Sequence, residues 1–364
     1  MALANTNLAD IPSQHEWDRL AARARRTNLA KKTLLYGFLI AVSIPLILPY
    51  FWLFTLSVST RAGSIDTVVL WNAMFIIVPA IIALWLLTLF ANSRTQLNVG
   101  YGLIFLVALI ALAVNVLPDL HLNNFRFLTN RNFNEDEAIG ARVKAVQGVD
   151  FPSVWLVMRN SLYLAGMQTL IVAVVASLAG YYLSRFSFPG RNGMLRSLLV
   201  LHAFPVLTLI VPLFLILSRI GLLDSLTGVI LVLVGFELPF AIFIMKGFFD
   251  AVPWDIEMSA MADGASRRQA FVLVVLPQVS NGLIAISVFS FIRGWEEYIF
   301  VFTFLIRNTN WTMSLYMFFV RDDLMGVDFG IVAAVGAFYL LPSLILYTTA
   351  QKYLTQMSVG GVKG

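Results

Sequence analysis

An all-α protein that crosses a membrane about eight times is the fold class that the sequence predicts. Hydrophobic residues make up 59% of the 364 residues and charged residues only 12%, whereas soluble domains carry about 25% charged residues. The mean hydropathy is +0.82. The apolar residues fall into long runs, each close to the ~20 residues that a helix needs to cross a bilayer. Composition and run length together therefore predict a polytopic membrane protein.

The apolar runs define eight candidate spans, which cover residues 34–58, 67–91, 99–117, 158–183, 197–217, 226–245, 273–305 and 329–350. Several of them contain proline, which a helix packed in a membrane bundle tolerates. The seventh run is long and is interrupted by polar residues at 293–297, so we expect it to bend or break there.

The distribution of positive charge predicts the orientation of the spans. Short loops rich in Lys and Arg stay in the cytoplasm. The first 33 residues are hydrophilic and basic, and the loops after the second, fourth and sixth spans, or their flanks, also carry Lys or Arg. We therefore expect both termini in the cytoplasm, the polar segment 119–153 outside, and the loop 246–272 inside.

That loop contains a predicted short helix over 254–263. Pro253 favours a helix start, Asp255 and Glu257 suit the first turn, and Gly264 suits the position after the last turn. Two methionines three residues apart share one face of this helix. The pattern fits a helix that lies in a groove of a partner, and it fits equally a helix that lies on lipid headgroups.

The same stretch resembles the signature of the permease subunits of binding-protein-dependent ABC importers. That signature is Glu-Ala-Ala, three residues, Gly, nine residues, Ile, one residue and Leu-Pro. With its glycine placed at Gly264, the Leu-Pro pair falls on Leu276 and Pro277 and the aliphatic position on Val274, so every spacing is kept.

The chain departs from the signature at the triplet, which falls on Met258, Ser259 and Ala260. The signature glutamate is thus replaced by Met258, and Glu257 lies one place earlier. The departure leaves open which side chain makes the polar contact to the ATPase.

Other segments resemble the maltose-type sugar-permease branch of that family. In order they are Asn160-Ser161, residues 178–185, residues 238–249, residues 295–300 with Glu296 in place of Asn, and the glycine-rich ending 357–364. The resemblance covers about 154 to the end together with 34–58, which accounts for six spans. The remaining two spans form an extra hairpin, for which lateral packing and partner binding are both open roles.

The resemblance implies a non-catalytic subunit of the bacterial inner membrane that imports a sugar or sugar derivative by alternating access. It implies as partners a second permease subunit, two ATP-binding subunits that hold ATP and Mg, an extracytoplasmic sugar-binding protein and membrane lipid, and no nucleic acid. The implied organisation is a leader (1–33), a first span (34–58), the extra hairpin (59–118), an external segment (119–153), a permease core (154–356) with the coupling loop 246–272, and a tail (357–364). The residues expected to dock the ATPase are Glu257, Met258, Ser259, Ala260, Met261, Asp263, Gly264, Leu276 and Pro277.

The polar residues of the seventh span form a second candidate site, made of Arg293, Trp295, Glu296 and Glu297. On a continuous helix Arg293 faces both acids, at i+3 and i+4. We expect a polar cluster in the bundle interior, either as an ion pair that stabilises a helix break or as a lining of the sugar path. In the second case Glu297 accepts hydroxyl hydrogen bonds and the ring of Trp295 packs on the sugar.

Several chemistries have no support in the sequence. The chain lacks a Gly-x-x-x-x-Gly-Lys-Ser/Thr phosphate loop, so the usual ATP site must come from another polypeptide. It has no Cys, and its three His residues lie on different segments, so no metal site is expected. One rival is a membrane enzyme such as a lipid-linked sugar transferase, with Asp322-Asp323 as cation ligands. Another is an ion-driven carrier, whose hydropathy symmetry is not visible.

Overall fold

The computed structural model describes residues 14–59, 68–90, 93–129, 151–203, 205–321 and 329–360, and helices dominate them. The helices, numbered in chain order, are α1 (Gln14–Ser57), α2 (Val68–Phe90), α3 (Arg94–Asn115), α4 (Val154–Arg185), α5 (Arg191–His202), α6 (Ile210–Arg219), α7 (Leu226–Asp250), α8 (Trp254–Ala262), α9 (Arg267–Gln278), α10 (Ser280–Glu296), α11 (Ile299–Phe304), α12 (Met313–Arg321) and α13 (Phe329–Gly360).

The predicted fold class is confirmed. Six helices within the described ranges are long and apolar enough to cross a membrane, and two bent helix pairs raise the number to as many as eight. Each predicted span falls on one of these helices or pairs. In the part of the chain that the structure describes, the β-structure is one isolated bridge between Ser59 and Leu120.

The fifth predicted span is not one straight helix. Its two halves, Arg191–His202 and Val206–Arg219, meet at 88°. Pro205, just before the second half, has φ −66° and ψ 102°, which is not helical. A proline has no N–H to continue the backbone ladder, so the chain turns here and restarts as a 3-10 turn (Val206–Leu209) that leads into α6.

The seventh predicted span breaks at two places rather than one. α9 and α10 meet at 74°, next to Val279. The expected break in the polar stretch also occurs, because α10 ends at Glu296 and Glu297 has extended backbone angles. Leu276 and Pro277 both belong to α9, before the bend.

Residues up to Thr55 form one compact unit and residues from Leu56 onward another. The first unit consists, as far as it is described, of α1 up to Thr55, and the apolar side chains of this helix are largely exposed. The second unit contains the remaining helices and the core.

The core of the second unit is built around α4, which packs along α7 and α10. Two glycines allow the helices to approach closely. A Cβ at Gly180 of α4 would lie 2.9 Å from the backbone nitrogen of Lys246 and from Cβ of Met245, both on α7. A Cβ at Gly294 of α10 would lie 3.0 Å from Cα of Ala165 on α4. Small residues at such crossings replace side-chain bulk with direct backbone contact, which is a common way to pack helices in membranes.

The extra hairpin is formed by α2 and α3. α3 has no buried residue, and it meets α2 where a Cβ at Gly100 would come within 2.4 Å of Leu87. The chain after the hairpin is tied down by Asn124, whose side-chain amide donates to the carbonyls of Ser57 at 3.1 Å and Ser59 at 3.0 Å. Phe127 then packs edge-on against Phe338 of α13. The base of the hairpin is thus fixed while α3 stays on the surface.

A polar clasp centred on Asp224 joins the turn before α7 to the turn after α11. One carboxylate oxygen of Asp224 accepts hydrogen bonds from the backbone N–H of Ile306 at 2.9 Å and of Arg307 at 3.0 Å. The other oxygen pairs with the guanidinium of Arg307. Asn310 donates to the backbone carbonyl of Asp224 at 2.7 Å. Asp224 has a φ of 57°, a left-handed conformation that aspartate tolerates better than most residues.

The same end of the bundle is held by the start of α4. Asn160 is buried, and its side-chain amide donates to the carbonyls of Thr309 at 2.8 Å and Trp311 at 3.0 Å. The hydroxyl of Ser161 accepts the N–H of Met313 at 2.6 Å, at the first residue of α12. These two residues are the first motif of the family resemblance, and here they fix the 305–313 connection.

The close approach at Gly180 predicts a strong and local effect of substitution. We expect Gly180→Ala to destabilise the protein by about 1–3 kcal/mol, because the added methyl meets backbone that cannot move away. Gly166→Ala, on the same helix, is the matched control, since its Cβ has nothing within 4 Å. Thermal unfolding of the detergent-solubilised protein measures both variants. Equal melting temperatures for the two would contradict the predicted packing.

The clasp predicts a pH effect at its own turn. Burial alone raises the pKa of Asp224, but the hydrogen bonds from Arg307, Ile306 and Asn310 outweigh it and hold the pKa below its ordinary value. The clasp is therefore at full strength above about pH 3.9 and weakens as the pH falls through the lower folded pKa. We expect the Ile306 and Arg307 amides to lose hydrogen-exchange protection in that window. The loss should be present at every pH in Asp224→Asn, and pH-independent protection in the wild type would exclude the clasp.

Candidate functional site

The loop helix α8 starts and ends as its sequence predicts. Pro253 is its N-cap residue, and Asp255 and Glu257 lie in the first turn. At the other end the N–H of Gly264 binds the carbonyl of Met261 at 3.1 Å, and that of Ala265 binds the carbonyl of Ala260 at 3.1 Å. This pair of bonds is a Schellman motif, which needs a left-handed residue just past the helix. Gly264 supplies it with a φ of 95°.

Glu257 is the most deeply buried charged residue of the loop, and its side chain is fully enclosed. One carboxylate oxygen accepts a hydrogen bond from the hydroxyl of Tyr181, and the other lies 3.0 Å from Nε of Arg185. Both partners belong to the last turn and a half of α4. Glu257 was expected to contribute to a docking surface, and in this structure its carboxylate instead binds two side chains inside the chain.

Arg185 connects this carboxylate to the rest of the loop. Its Nη2 donates to the carbonyl of Val252 at 3.0 Å, and its guanidinium carbon lies 5.4 Å from the ring centroid of Trp254. The side chain is only 6% exposed. A guanidinium buried to this extent needs all of these contacts, since an unpaired buried charge is costly. The start of α8 is therefore fastened to α4 by an ion pair, a backbone hydrogen bond and a cation–π contact.

Aromatic rings close the pocket around the ion pair. The ring of Tyr181 lies 4.5 Å from that of Phe271 in α9 and 5.7 Å from that of Phe249 in α7. Arg267, at the start of α9, lies over the ring of Phe186 at 5.0 Å. The end of α4 thus contacts the elements on both sides of α8, so α8 is held as a fixed part of the bundle.

The opposite face of α8 is open. Met258 is 43% exposed, Ser259 and Asp263 are exposed, and Ala260 and Met261 are half-buried. A Cβ at Gly264 would have nothing within 4 Å. Three of the expected docking residues and Gly264 are therefore left uncovered by this chain, while Ala260 and Met261 are partly covered. Leu276 is half-buried and Pro277 is exposed, one helix further on.

α9 is distorted by Pro277. A capping box between Ser266 and Gln269 starts the helix, and the ladder then widens into a π turn over Ala270–Val275. Pro277 cannot donate a backbone hydrogen bond, and such a gap is commonly accommodated by a π turn just before it. The bend at Val279 follows two residues later.

Trp295 lies in the buried core of the bundle. It is 1% exposed, and its ring is stacked between those of Phe291 at 6.1 Å and Tyr339 at 5.5 Å. Its indole N–H donates to the carbonyl of Tyr339 at 3.2 Å, and the Tyr339 hydroxyl donates back to the carbonyl of Trp295 at 3.1 Å. The ring was expected to pack on a sugar; in this structure it packs between two aromatic rings, and the reciprocal bonds anchor α10 to α13.

The predicted ion pair of Arg293 with Glu296 or Glu297 is also absent from the described residues, where no such contact within 4.0 Å occurs. For Glu297 the reason is the break in the helix, because the i+4 relation requires helical backbone and Glu297 has ψ 120°. Its carboxylate instead accepts the N–H of Phe300 at 2.9 Å and so caps α11. Arg293 and Glu296 are exposed, whereas Glu297 is half-buried.

Sequence reasoning missed a polar residue inside α7. Glu237 lies near the middle of this span, where its carboxylate accepts a hydrogen bond from the amide of Gln168 at 2.5 Å and one from the hydroxyl of Ser290 at 3.1 Å. A carboxylate in the middle of an apolar run is rare and is itself a signal of function. That signal was available in the sequence, but the partners on α4 and α10 were not.

Comparison with known proteins decides the family. Residues 173–357, just over half of the chain, match the model of the binding-protein-dependent transport system inner membrane component. The chain belongs to this family. The matched region contains α8, Gly264 and the bend between α9 and α10, so the family resemblance of the signature loop is confirmed.

The relatives of this permease are ABC transporter permeases. An inner membrane ABC transporter permease protein of Escherichia coli K12 is 32% identical over 209 residues, which are 57% of this chain and 74% of the relative. A trehalose transport system permease protein of Mycobacterium tuberculosis is 30% identical over 207 residues, 56% of this chain and 76% of the relative.

The fold of the permease is shared with a solved structure. A chain from the crystal structure of a bacterial ABC transporter involved in the import of the acidic polysaccharide alginate matches with a TM-score of 0.58 and 18% sequence identity. The match covers 94% of this chain and 99% of that chain. At this identity the likeness establishes the fold.

The rival interpretations gain nothing from the structure. Asp322 and Asp323, the expected cation ligands of a membrane enzyme, lie outside the described residues. Among the residues that are described, no group of three or more His, Asp or Glu side chains is placed to hold a metal ion.

The buried ion pair of the permease predicts that two acidic residues in one helical turn differ in their contribution to stability. We expect Glu257→Gln to cost about 3–5 kcal/mol, because Arg185 is left buried without a counter-ion. Asp255→Asn, in the same turn but exposed, is the matched control and should change little. Thermal unfolding of the solubilised permease reports both. The double variant Arg185→Leu with Glu257→Leu should recover part of the loss, and a Glu257→Gln protein as stable as Asp255→Asn would refute the pairing.

Proposed function

We propose that this chain is the transmembrane permease subunit of an ABC importer that moves a sugar or sugar derivative into the cytoplasm, driven by ATP hydrolysis on a separate subunit. The observation that carries the proposal is α8, a short loop helix with one face fastened to the core and the other uncovered. A helix that only lay on lipid headgroups would not need a buried ion pair to hold it at a fixed angle. A helix that transmits the movement of a partner protein to the membrane helices needs such a fixed attachment.

The proposed partners follow from the family and from this surface. A binding-protein-dependent permease receives its solute from a binding protein, in this case outside the cytoplasm. We infer that two ATP-binding subunits, which hold ATP and Mg, dock on α8 and on the equivalent helix of a second permease subunit. The exposed docking face then consists of Met258, Ser259, Asp263 and the surroundings of Gly264, while Glu257 supports that face from behind.

The proposed solute class rests on the names of relatives. They include permeases for trehalose, for diacetylchitobiose and for sulfoquinovosyl glycerol, at 28–31% identity. All of these solutes are glycosides or short saccharides. We therefore propose a sugar or sugar derivative as the solute of this permease and a bacterial inner membrane as its location, with both termini on the cytoplasmic side.

The proposed coupling runs through α4. Movement of α8 toward or away from the partner is passed to Arg185 and Tyr181, because the carboxylate of Glu257 cannot leave them without exposing a buried charge. The same movement reaches α10 through α9 and the bend at Val279. Both core helices that meet at Gly294 are thus tied to the loop, which is the arrangement that alternating access requires.

The decisive experiment is reconstitution. The purified chain alone should hydrolyse no more ATP than a mock preparation, and should transport only together with a second permease, the ATP-binding subunits and a loaded binding protein. Trehalose, maltose and diacetylchitobiose are the first solutes to test. ATP hydrolysis by the single chain, or assembly with the ATP-binding subunits that needs no part of the α8 loop, would overturn the proposal.

Gly264→Asp tests the docking face directly. In this chain alone the new side chain has space, so the variant should insert and fold, yet we expect it to lose at least about tenfold in transport because it projects into the partner's contact surface. Gly190→Asp is the matched control for backbone strain, since Gly190 has a φ of 89° and equally open surroundings outside the loop. Met258→Glu restores the signature residue and should be tolerated. Equal transport by Gly264→Asp and Gly190→Asp would contradict docking at α8.

A further inference from the structure

A polar cluster lies inside the membrane core, and none of its residues belongs to the coupling loop. Glu237 of α7 meets Gln168 of α4 and Ser290 of α10, and the amide and the hydroxyl both donate to the same carboxylate oxygen, Oε2. The amide nitrogen of Gln168 also lies 3.5 Å from the carbonyl of Ser290. The cluster therefore joins the three central helices at mid-span.

The cluster is incompletely satisfied. Oε1 of Glu237 accepts no hydrogen bond from any residue that the structure describes, and Glu237 is only half-buried. Gln168 is 1% exposed, and its side-chain oxygen is likewise without a hydrogen-bond partner among the described residues. A carboxylate that served only to join helices would need both oxygens saturated, because an unpaired charge in low dielectric is costly. One oxygen is left for a donor from outside this group.

Other ionisable groups share the same side of the bundle. His202, at the end of α5, and Arg293 of α10 are both exposed, and both interact electrostatically with Glu237. The imidazole of His202 stacks on the ring of Phe240 at 4.8 Å. Charged side chains at mid-membrane cost at least about 2.5–3.5 kcal/mol when they face lipid. This side of α5, α7 and α10 therefore faces water or a polar partner.

We propose that Glu237 contacts the solute on its way through the membrane, its free oxygen accepting hydrogen bonds from the hydroxyl groups of an uncharged saccharide. The proposal rests on the proposed function, and it adds a specificity-determining residue to it. Gln168 and Ser290 are positioning residues, which hold one oxygen and leave the other for the solute. A fixed negative charge at this point disfavours acidic saccharides, since like charges repel more strongly where water is scarce.

Cysteine labelling locates Glu237 independently of transport. The chain has no Cys, so a single introduced thiol is the only one on this polypeptide. In the assembled transporter in membranes, we expect Glu237→Cys to react with a charged methanethiosulfonate reagent, with and without ATP to sample both states. Leu231→Cys, exposed on the same helix but in an apolar stretch, should not react, and Arg268→Cys in the loop should react. An unreactive Glu237→Cys beside a reactive Arg268→Cys overturns the proposal.

Transport stoichiometry then tests the hydrogen bond. Glu237→Gln keeps the shape and a donor-acceptor group but removes the charge, and we expect about a tenfold fall in sugar transported per ATP at saturating loaded binding protein. Glu237→Asp should recover part of that loss, which a merely steric role would not explain. Gel filtration first shows that both variants assemble. A labelled Glu237→Cys combined with wild-type stoichiometry in Glu237→Gln overturns the solute contact.

The two proposals fail in different ways. If the wild-type transporter moves none of trehalose, maltose or diacetylchitobiose, the proposed sugar import is contradicted. The labelling still decides whether Glu237 lines an aqueous route. If the wild type transports sugar and Glu237→Cys is shielded, only the proposal for Glu237 falls.

Discussion

The buried carboxylate of Glu257 is the constraint on which the rest of the loop depends. A carboxylate with no exposed surface requires a counter-ion and hydrogen-bond donors at close range, and here both come from the end of α4, Arg185 and Tyr181. The two segments lie 72 residues apart in sequence. Their pairing turns a loop helix, which a short amphipathic sequence would leave tethered at its ends, into a rigid extension of the central helix. The uncovered face of α8 is therefore presented at a defined angle.

α4 carries this rigidity through the protein. At one end it holds α8 through Arg185, at mid-span it holds α7 and α10 through Gln168, and at the other end it holds the 305–313 connection through Asn160. Between these polar sites it packs with small residues, most closely at Gly180. Polar side chains of membrane helices commonly hydrogen-bond to neighbouring helices in this way. Continuous contacts along α4 thus connect α8 to the mid-membrane cluster and to the opposite end of the bundle.

In the polar stretch of the seventh span, a local break in the helix changes which partners the side chains contact. Once α10 ends at Glu296, Glu297 serves as a cap for α11, and Trp295 becomes part of an aromatic stack with Phe291 and Tyr339. A free helix end offers unsatisfied N–H groups, and a carboxylate two or three residues earlier is well placed to accept them. Among the described residues, Arg293 makes no ion pair with these acids, and the carboxylates on which its charge acts include that of Glu237 on α7.

The sequence by itself determined the class of the protein, the number of apolar spans, the start and end of α8 and the family. These features depend on composition, on run length and on residues such as Pro253 and Gly264 whose backbone preferences act locally. Only the tertiary structure decided which groups Glu257, Trp295 and Glu237 contact, because their partners lie on distant helices. Glu257 was expected at a docking surface and Trp295 beside a solute, and the structure has both side chains in the interior. The physical reason is that helical periodicity predicts which residues share a face, whereas the partner of that face is set by packing between segments that the sequence does not place side by side.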